Sequence, residues 1–137
     1  MQMLPNDLLE GAVKFHGHLG PYLILGLRAG QIGVNHLGRS YLELRAVVET
    51  DGHPPRSCFI DGIQFASGCT TGKTNLETRV GHSVSVEFMR GDRRINVTVK
   101  EDILRVLDQL TSEQQVETKS REILGKSDNE LFHVEAE

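Results

Sequence analysis

The strongest constraint in this chain is a pair of alternating runs, Ser83-Val-Ser-Val-Glu-Phe-Met89 and Arg94-Ile-Asn-Val-Thr-Val-Lys100, joined by Arg90-Gly-Asp-Arg93. Alternation of this kind suits a strand with one buried face and not a helix, whose apolar positions recur every three to four residues. Gly91-Asp92 supplies turn chemistry between them, so the two runs are expected to pair as an antiparallel hairpin. Val84, Val86 and Phe88 then share one face with Ile95, Val97 and Val99. A lone hairpin is not stable in water, so other elements must cover that face.

The rest of the chain supplies them. Asp7 can cap a first helix whose Leu8, Leu9, Ala12, Val13 and Phe15 fall at helical spacing, and which runs into His16-Gly17-His18. Pro21 stands at the first position of a second helix carrying Leu23, Ile24, Leu27, Ala29, Ile32, Val34 and Leu37, with Gly38 as its end. Gly26, Gly30 and Gly33 lie inside it, each costing about 1 kcal/mol against alanine. Another helix or a partner subunit is therefore expected close to that face, and a dimer packed along this helix follows from the second case. Residues 43–49 read as a strand with Leu42, Leu44, Ala46 and Val48 on one side. After the hairpin, Ile103, Leu104, Val106, Leu107 and Leu110 form a helical stripe. Ser112, with Gln115 three residues on, starts a more polar helix that stops at Gly125, and residues 131–137 form a short edge strand or a trailing end.

Both cysteines fall in residues 56–76, between the Pro54-Pro55 pair and the loop Gly68-Cys-Thr-Thr-Gly-Lys-Thr74. The spacing predicts a helix over 56–66 ended by Ser67 and Gly68, with Cys58 in its first turn, where unpaired N–H groups favour a thiolate. On one continuous helix the two thiols would stand roughly 16 Å apart. Two thiolates on one zinc lie within roughly 4 Å, so a shared metal requires a fold-back at Gly68. The loop resembles a nucleotide-binding P-loop but places three residues between Gly68 and Gly72 where four are needed, and a helix leads into it. A narrower role remains for it, in which Lys73, Thr70, Thr71 and backbone N–H groups hold a small anion.

At 137 residues the chain is the length of one domain, taken as 1–137. A net charge of −4 and the small Arg90, Arg93, Arg94 group, read as a solvated hairpin tip, argue against general nucleic-acid binding. No apolar run is long enough to span a bilayer and no leader pattern is present, which points to a cytoplasmic protein. Two cysteines do not make a disulfide framework and suit packing, metal or redox chemistry.

His16-Gly17-His18 is the remaining metal-type segment. Residues two apart on a helix point about 200° from each other, so both imidazoles reach one ion only where Gly17 leaves helical geometry. His16-Gly17-His18, Cys58 with Asp61-Gly-Ile-Gln64, and Gly68-Cys-Thr-Thr-Gly-Lys-Thr-Asn75 together resemble, in order and spacing, the FmdE family of formylmethanofuran dehydrogenase proteins over residues 8–99. The resemblance implies an α+β domain of two N-terminal helices and a mixed β-sheet, interrupted by a helix and covered by C-terminal helices. It implies a homodimer, and a transition-metal site to which His16, His18, Cys58 and Cys69 carry over. Zinc is the first expectation for that site, with nickel or iron as alternatives. Asp61 stands as an outer partner of the ligands, and Lys73 and Asn75 shape the loop with Thr70. Such proteins commonly read His-Gly-His-x-Cys-Pro-Gly, whereas this chain has Gly20-Pro21-Tyr22, and it lacks the cysteines of the C-terminal zinc ribbon found in some relatives. The function implied is that of a metal-binding accessory protein linked to formylmethanofuran dehydrogenase or molybdopterin metabolism, in company with a molybdenum or tungsten enzyme. A metal- or thiol-dependent enzyme and a purely structural dimeric subunit are the alternatives.

Overall fold

In the computed structural model, which describes residues 4–137, the alternating runs form two antiparallel strands with Val86 opposite Val97 and Phe88 opposite Ile95. In chain order the elements are α1 (Asn6–His16), α2 (Pro21–Leu37), β1 (Arg45–Thr50), α3 (Cys58–Ser67), β2 (Leu76–Val80), β3 (Ser85–Arg90), β4 (Arg93–Val99), α4 (Glu101–Asp108), α5 (Glu113–Leu124), α6 (Asp128–Leu131) and β5 (Phe132–Ala136). The five strands make one mixed sheet in the order β2-β1-β3-β4-β5, parallel between β1 and β2 and antiparallel elsewhere. The fold is α+β, with two helices before the sheet. A parallel neighbour needs a crossover, and α3 provides it between β1 and β2.

One face of the sheet and α2 share the core. Leu44, Ala46, Val48, Val86, Phe88, Ile95 and Val97 are buried against Ile24, Leu25 and Ala29. Leu42, expected on the same face, is 75% exposed because the strand begins only at Arg45. The glycines of α2 face within the chain. A Cβ built on Gly26 would lie 2.2 Å from the Phe59 carbonyl oxygen, and one on Gly62 of α3 would lie 2.4 Å from that of Leu23. Gly33 likewise makes room for the Phe88 ring. No partner subunit is needed to account for them.

Arg28 of α2 is fully buried and ties the helix to the C-terminal part of the chain. Its guanidinium donates to the carbonyl oxygens of Lys126 (2.8 Å) and Ile123 (3.4 Å) and to Asp128 Oδ1 (2.8 Å), so the buried charge is both paired and hydrogen-bonded. The arginines at the hairpin tip also do more than meet solvent. Arg90 donates to the Leu37 carbonyl oxygen (3.0 Å) and Arg93 to that of His36 (2.8 Å), satisfying carbonyls left open at the end of α2.

Two elements escape the sequence patterns. In β2, Leu76 alone is buried and Glu77, Thr78, Arg79 and Val80 are exposed, so an edge strand carries no alternation to read. α6 is a single turn held by a capping box between Ser127 and Glu130. At the start of α5, Ser112 Oγ accepts from the Gln115 N–H (3.2 Å), while Gln115 Oε1 accepts from Thr111 N–H instead of completing the box at Ser112.

Gly26→Ala should lower stability by about 2–3 kcal/mol, through overpacking against backbone that cannot yield. Gly72→Ala, where an added Cβ meets nothing within 4 Å, should stay within about 0.5 kcal/mol of the parent. Urea denaturation midpoints at constant slope provide the comparison.

Candidate metal centre

Three helix ends meet at one place. α1 stops at Gly17, whose φ of 113° places it in the left-handed region, with its N–H donating to the Val13 carbonyl oxygen (2.7 Å). The chain leaves helical geometry there, and the rings of His16 and His18 come together with centroids 4.8 Å apart. α2 then starts at Pro21, and α3 starts at Cys58. His16, His18, Gly20, Tyr22 and Cys58 line a cavity of about 240 Å³ between these ends, and Leu107 of α4, Val116 of α5 and Leu110 between them close it from the C-terminal part of the chain.

His16 is the best-held of these side chains. It is 9% exposed, and its Nδ1 lies 2.6 Å from Asp61 Oδ2. Nε2 is buried and, among the described residues, has no hydrogen-bond partner. A carboxylate on one ring nitrogen fixes the tautomer and directs the lone pair of the other outward, the arrangement that metal-binding histidines use. Asp61 also reaches Gln64 Nε2 (3.5 Å), whose Oε1 accepts from the Thr71 N–H (3.0 Å). The imidazole is thus tied through α3 to the loop that follows it.

Cys58 is half-buried in the same cavity, but its environment opposes the thiolate expected from a helix start. Burial, and after it the Asp61 carboxylate, push the Cys58 thiol above its ordinary value, against a smaller pull from backbone N–H. The helix end is a weaker influence than the desolvated position beside an anion.

Cys69 stands apart. It is fully buried, and its Sγ lies 3.6 Å from the Leu44 carbonyl oxygen. Burial raises this thiol too. The fold-back at Gly68 occurs, with φ 76°, yet it carries Cys69 against the Leu44 carbonyl oxygen, just before β1, and not into the cavity. Among the described residues no group of three His, Cys, Asp or Glu side chains is placed so that it could hold a metal ion.

The loop residues are engaged with one another. Asn75 Oδ1 accepts from the Thr70 N–H (2.8 Å) and Asn75 Nδ2 donates to the Leu44 carbonyl oxygen (3.2 Å). The Lys73 ammonium turns back onto the Gly68 carbonyl oxygen and Thr70 Oγ1, at the end of α3. These contacts build the loop and hold the lysine charge at the negative end of a helix. Tyr22 and the apolar roof were not singled out from the sequence, because only the tertiary fold brings α4 and α5 over the histidines.

A family model described as "FmdE, Molybdenum formylmethanofuran dehydrogenase operon" matches residues 15–133. A probable S-adenosyl-L-methionine-binding protein of Archaeoglobus fulgidus is 36% identical over 76 residues, which is 50% of this chain and 19% of that protein. The chain therefore spans about a fifth of the length of this curated relative. The crystal structure of an FmdE-like protein of the tungsten formylmethanofuran dehydrogenase type, from Syntrophus aciditrophicus, shares the fold, with a TM-score of 0.71 at 18% identity, covering 100% of this chain and 77% of that one.

Alkylation should separate the two thiols. Cys58 of the metal-free protein should react slowly at neutral pH and speed up as pH rises through a midpoint above that of an ordinary thiol, since its folded value is raised. Cys69, fully buried, should react only on unfolding. Mass spectrometry of iodoacetamide-treated protein across pH reads both.

Proposed function

The chain belongs to the FmdE family, and on that premise we propose that it is a metal-binding accessory protein of the formylmethanofuran dehydrogenase system, holding a transition metal through His16, His18 and Cys58. The observation that carries this reading is the His16 ring, with Asp61 on Nδ1 and a buried Nε2 that has no partner among the described residues. Leaving such an atom unpaired costs about 1–3 kcal/mol, and a metal ion at Nε2 would satisfy it. His18 and Cys58 line the same cavity. Two imidazoles and a thiol suit zinc, nickel or iron and do not suit magnesium or calcium, which prefer oxygen. Such an ion would supply Lewis acidity on the cavity side.

Cys69 falls outside the set in this reading. Gly20 lies within it, because a Cβ built there would lie 3.4 Å from His18 Nε2. The backbone at Gly20 is extended, with φ −146° and ψ 159°, and accepts any side chain. A cysteine at this position would add a fourth donor beside His18.

The test is elemental analysis of tag-free protein, as purified and after reconstitution under reducing conditions. About one equivalent of zinc, nickel or iron per chain should be found, and it should be lost in His16→Ala and Cys58→Ala but kept in Cys69→Ala. Asp61→Asn should weaken affinity by about 10–100-fold without changing stoichiometry. Gly20→Cys should tighten binding. Absence of metal after reconstitution, or metal content indifferent to His16 and Cys58, overturns the reading.

A further inference from the structure

The cavity has two kinds of wall. The donors come from the α1–α2 turn and the start of α3, whereas the roof comes from α4, α5 and the residues between them. His16 Nε2 is buried away from water, so an ion or ligand reaches it only when a wall moves. Residues 108–112 are the weakest part of that wall. Asp108, Gln109, Thr111 and Ser112 are exposed, and Leu110 is the only side chain of the five packed against the core. Buried Leu107 on one side and buried Ser120 and Ile123 on the other fix the ends.

One ion pair ties this segment to the donor side. Asp108 Oδ2 accepts from Arg56 Nη2 at 2.8 Å, and Arg56 lies two residues before Cys58. Asp108 is the last residue of α4, where the negative end of the helix dipole disfavours a carboxylate. The helix itself gives no reason for an aspartate there, whereas the pair with Arg56 does. His18 marks the seam, because it lines both the inner cavity and an outer hollow of about 610 Å³ that also includes Leu110, Thr111, Ser112 and Val116.

We propose that residues 108–112 are a gate over the cavity, plugged by Leu110 and latched by the Asp108–Arg56 pair, and that its opening admits small molecules and ions to Cys58 and to the buried Nε2 of His16. The proposal concerns access and stands whether or not a metal binds.

Alkylation of Cys58 by N-ethylmaleimide in metal-free protein, at one fixed pH, tests it. Asp108→Ala should raise the Cys58 rate by about threefold, in line with a partly exposed ion pair. Leu110→Ala should raise it further. Raising NaCl from about 0.05 M to about 0.5 M should accelerate the parent and leave Asp108→Ala unchanged, because salt screens only an intact latch. Cys69 is the control for global opening, and its rate should stay negligible in every variant. Equal Cys58 rates in the parent, Asp108→Ala and Leu110→Ala overturn the gate, as does a salt effect that survives in Asp108→Ala. A Cys69 rate that rises together with that of Cys58 also overturns it, by showing whole-chain unfolding instead.

Discussion

Backbone contact between α2 and α3 at Gly26 and Gly62 is the constraint on which the rest of the structure depends. Each glycine lies where a side chain would strike the other helix's carbonyl oxygens, so the two axes approach more closely than ordinary side chains permit. α3 is also the crossover between the parallel strands β1 and β2, so its depth against α2 sets how the crossover sits on the sheet. The same contact fixes where α3 begins. Cys58 and Asp61 occupy the first turn, and seating that turn against α2 brings them to the end of α1, where His16 waits.

Asp61 then acts in two directions. It holds the His16 imidazole at 2.6 Å, and, second to burial, it raises the neighbouring Cys58 thiol. The first effect fixes the orientation of the ring, while burial and the carboxylate together disfavour the thiolate. A bound cation would reverse the second effect, since its charge outweighs that of the carboxylate at closer range and favours the thiolate.

The sequence carried the helices and the hairpin clearly, because α1, α2 and α4 have apolar stripes, Pro21 and Ser112 mark the starts of α2 and α5, and β3 and β4 alternate; Asp7, expected to cap α1, instead lies in its first turn, since the helix begins one residue earlier, at Asn6. It did not carry β2, whose exposed Glu77, Thr78 and Arg79 are written for solvent, nor α6, which is one turn long. Of the site, the His-Gly-His turn and Cys58 were legible because residue type and a helix break suffice to mark them. The separation of Cys69 was not, since whether a chain folds back at Gly68 into a cavity or against the rest of the core depends on what lies there, here the Leu44 carbonyl oxygen just before β1. The role of the α2 glycines was legible only as a close approach. That the approaching surface is α3 required the packed structure.

The cavity draws its floor from residues 16–58 and its roof from residues 107–116. The donors and the lining that decides shape therefore belong to separate stretches of chain. Substitutions at Leu107, Leu110 or Val116 can reshape the space above the imidazoles while His16, His18 and Cys58 remain untouched. A lineage built on this scaffold is free to redraw the cavity through its C-terminal helices and to leave the histidines and Cys58 beneath them unaltered.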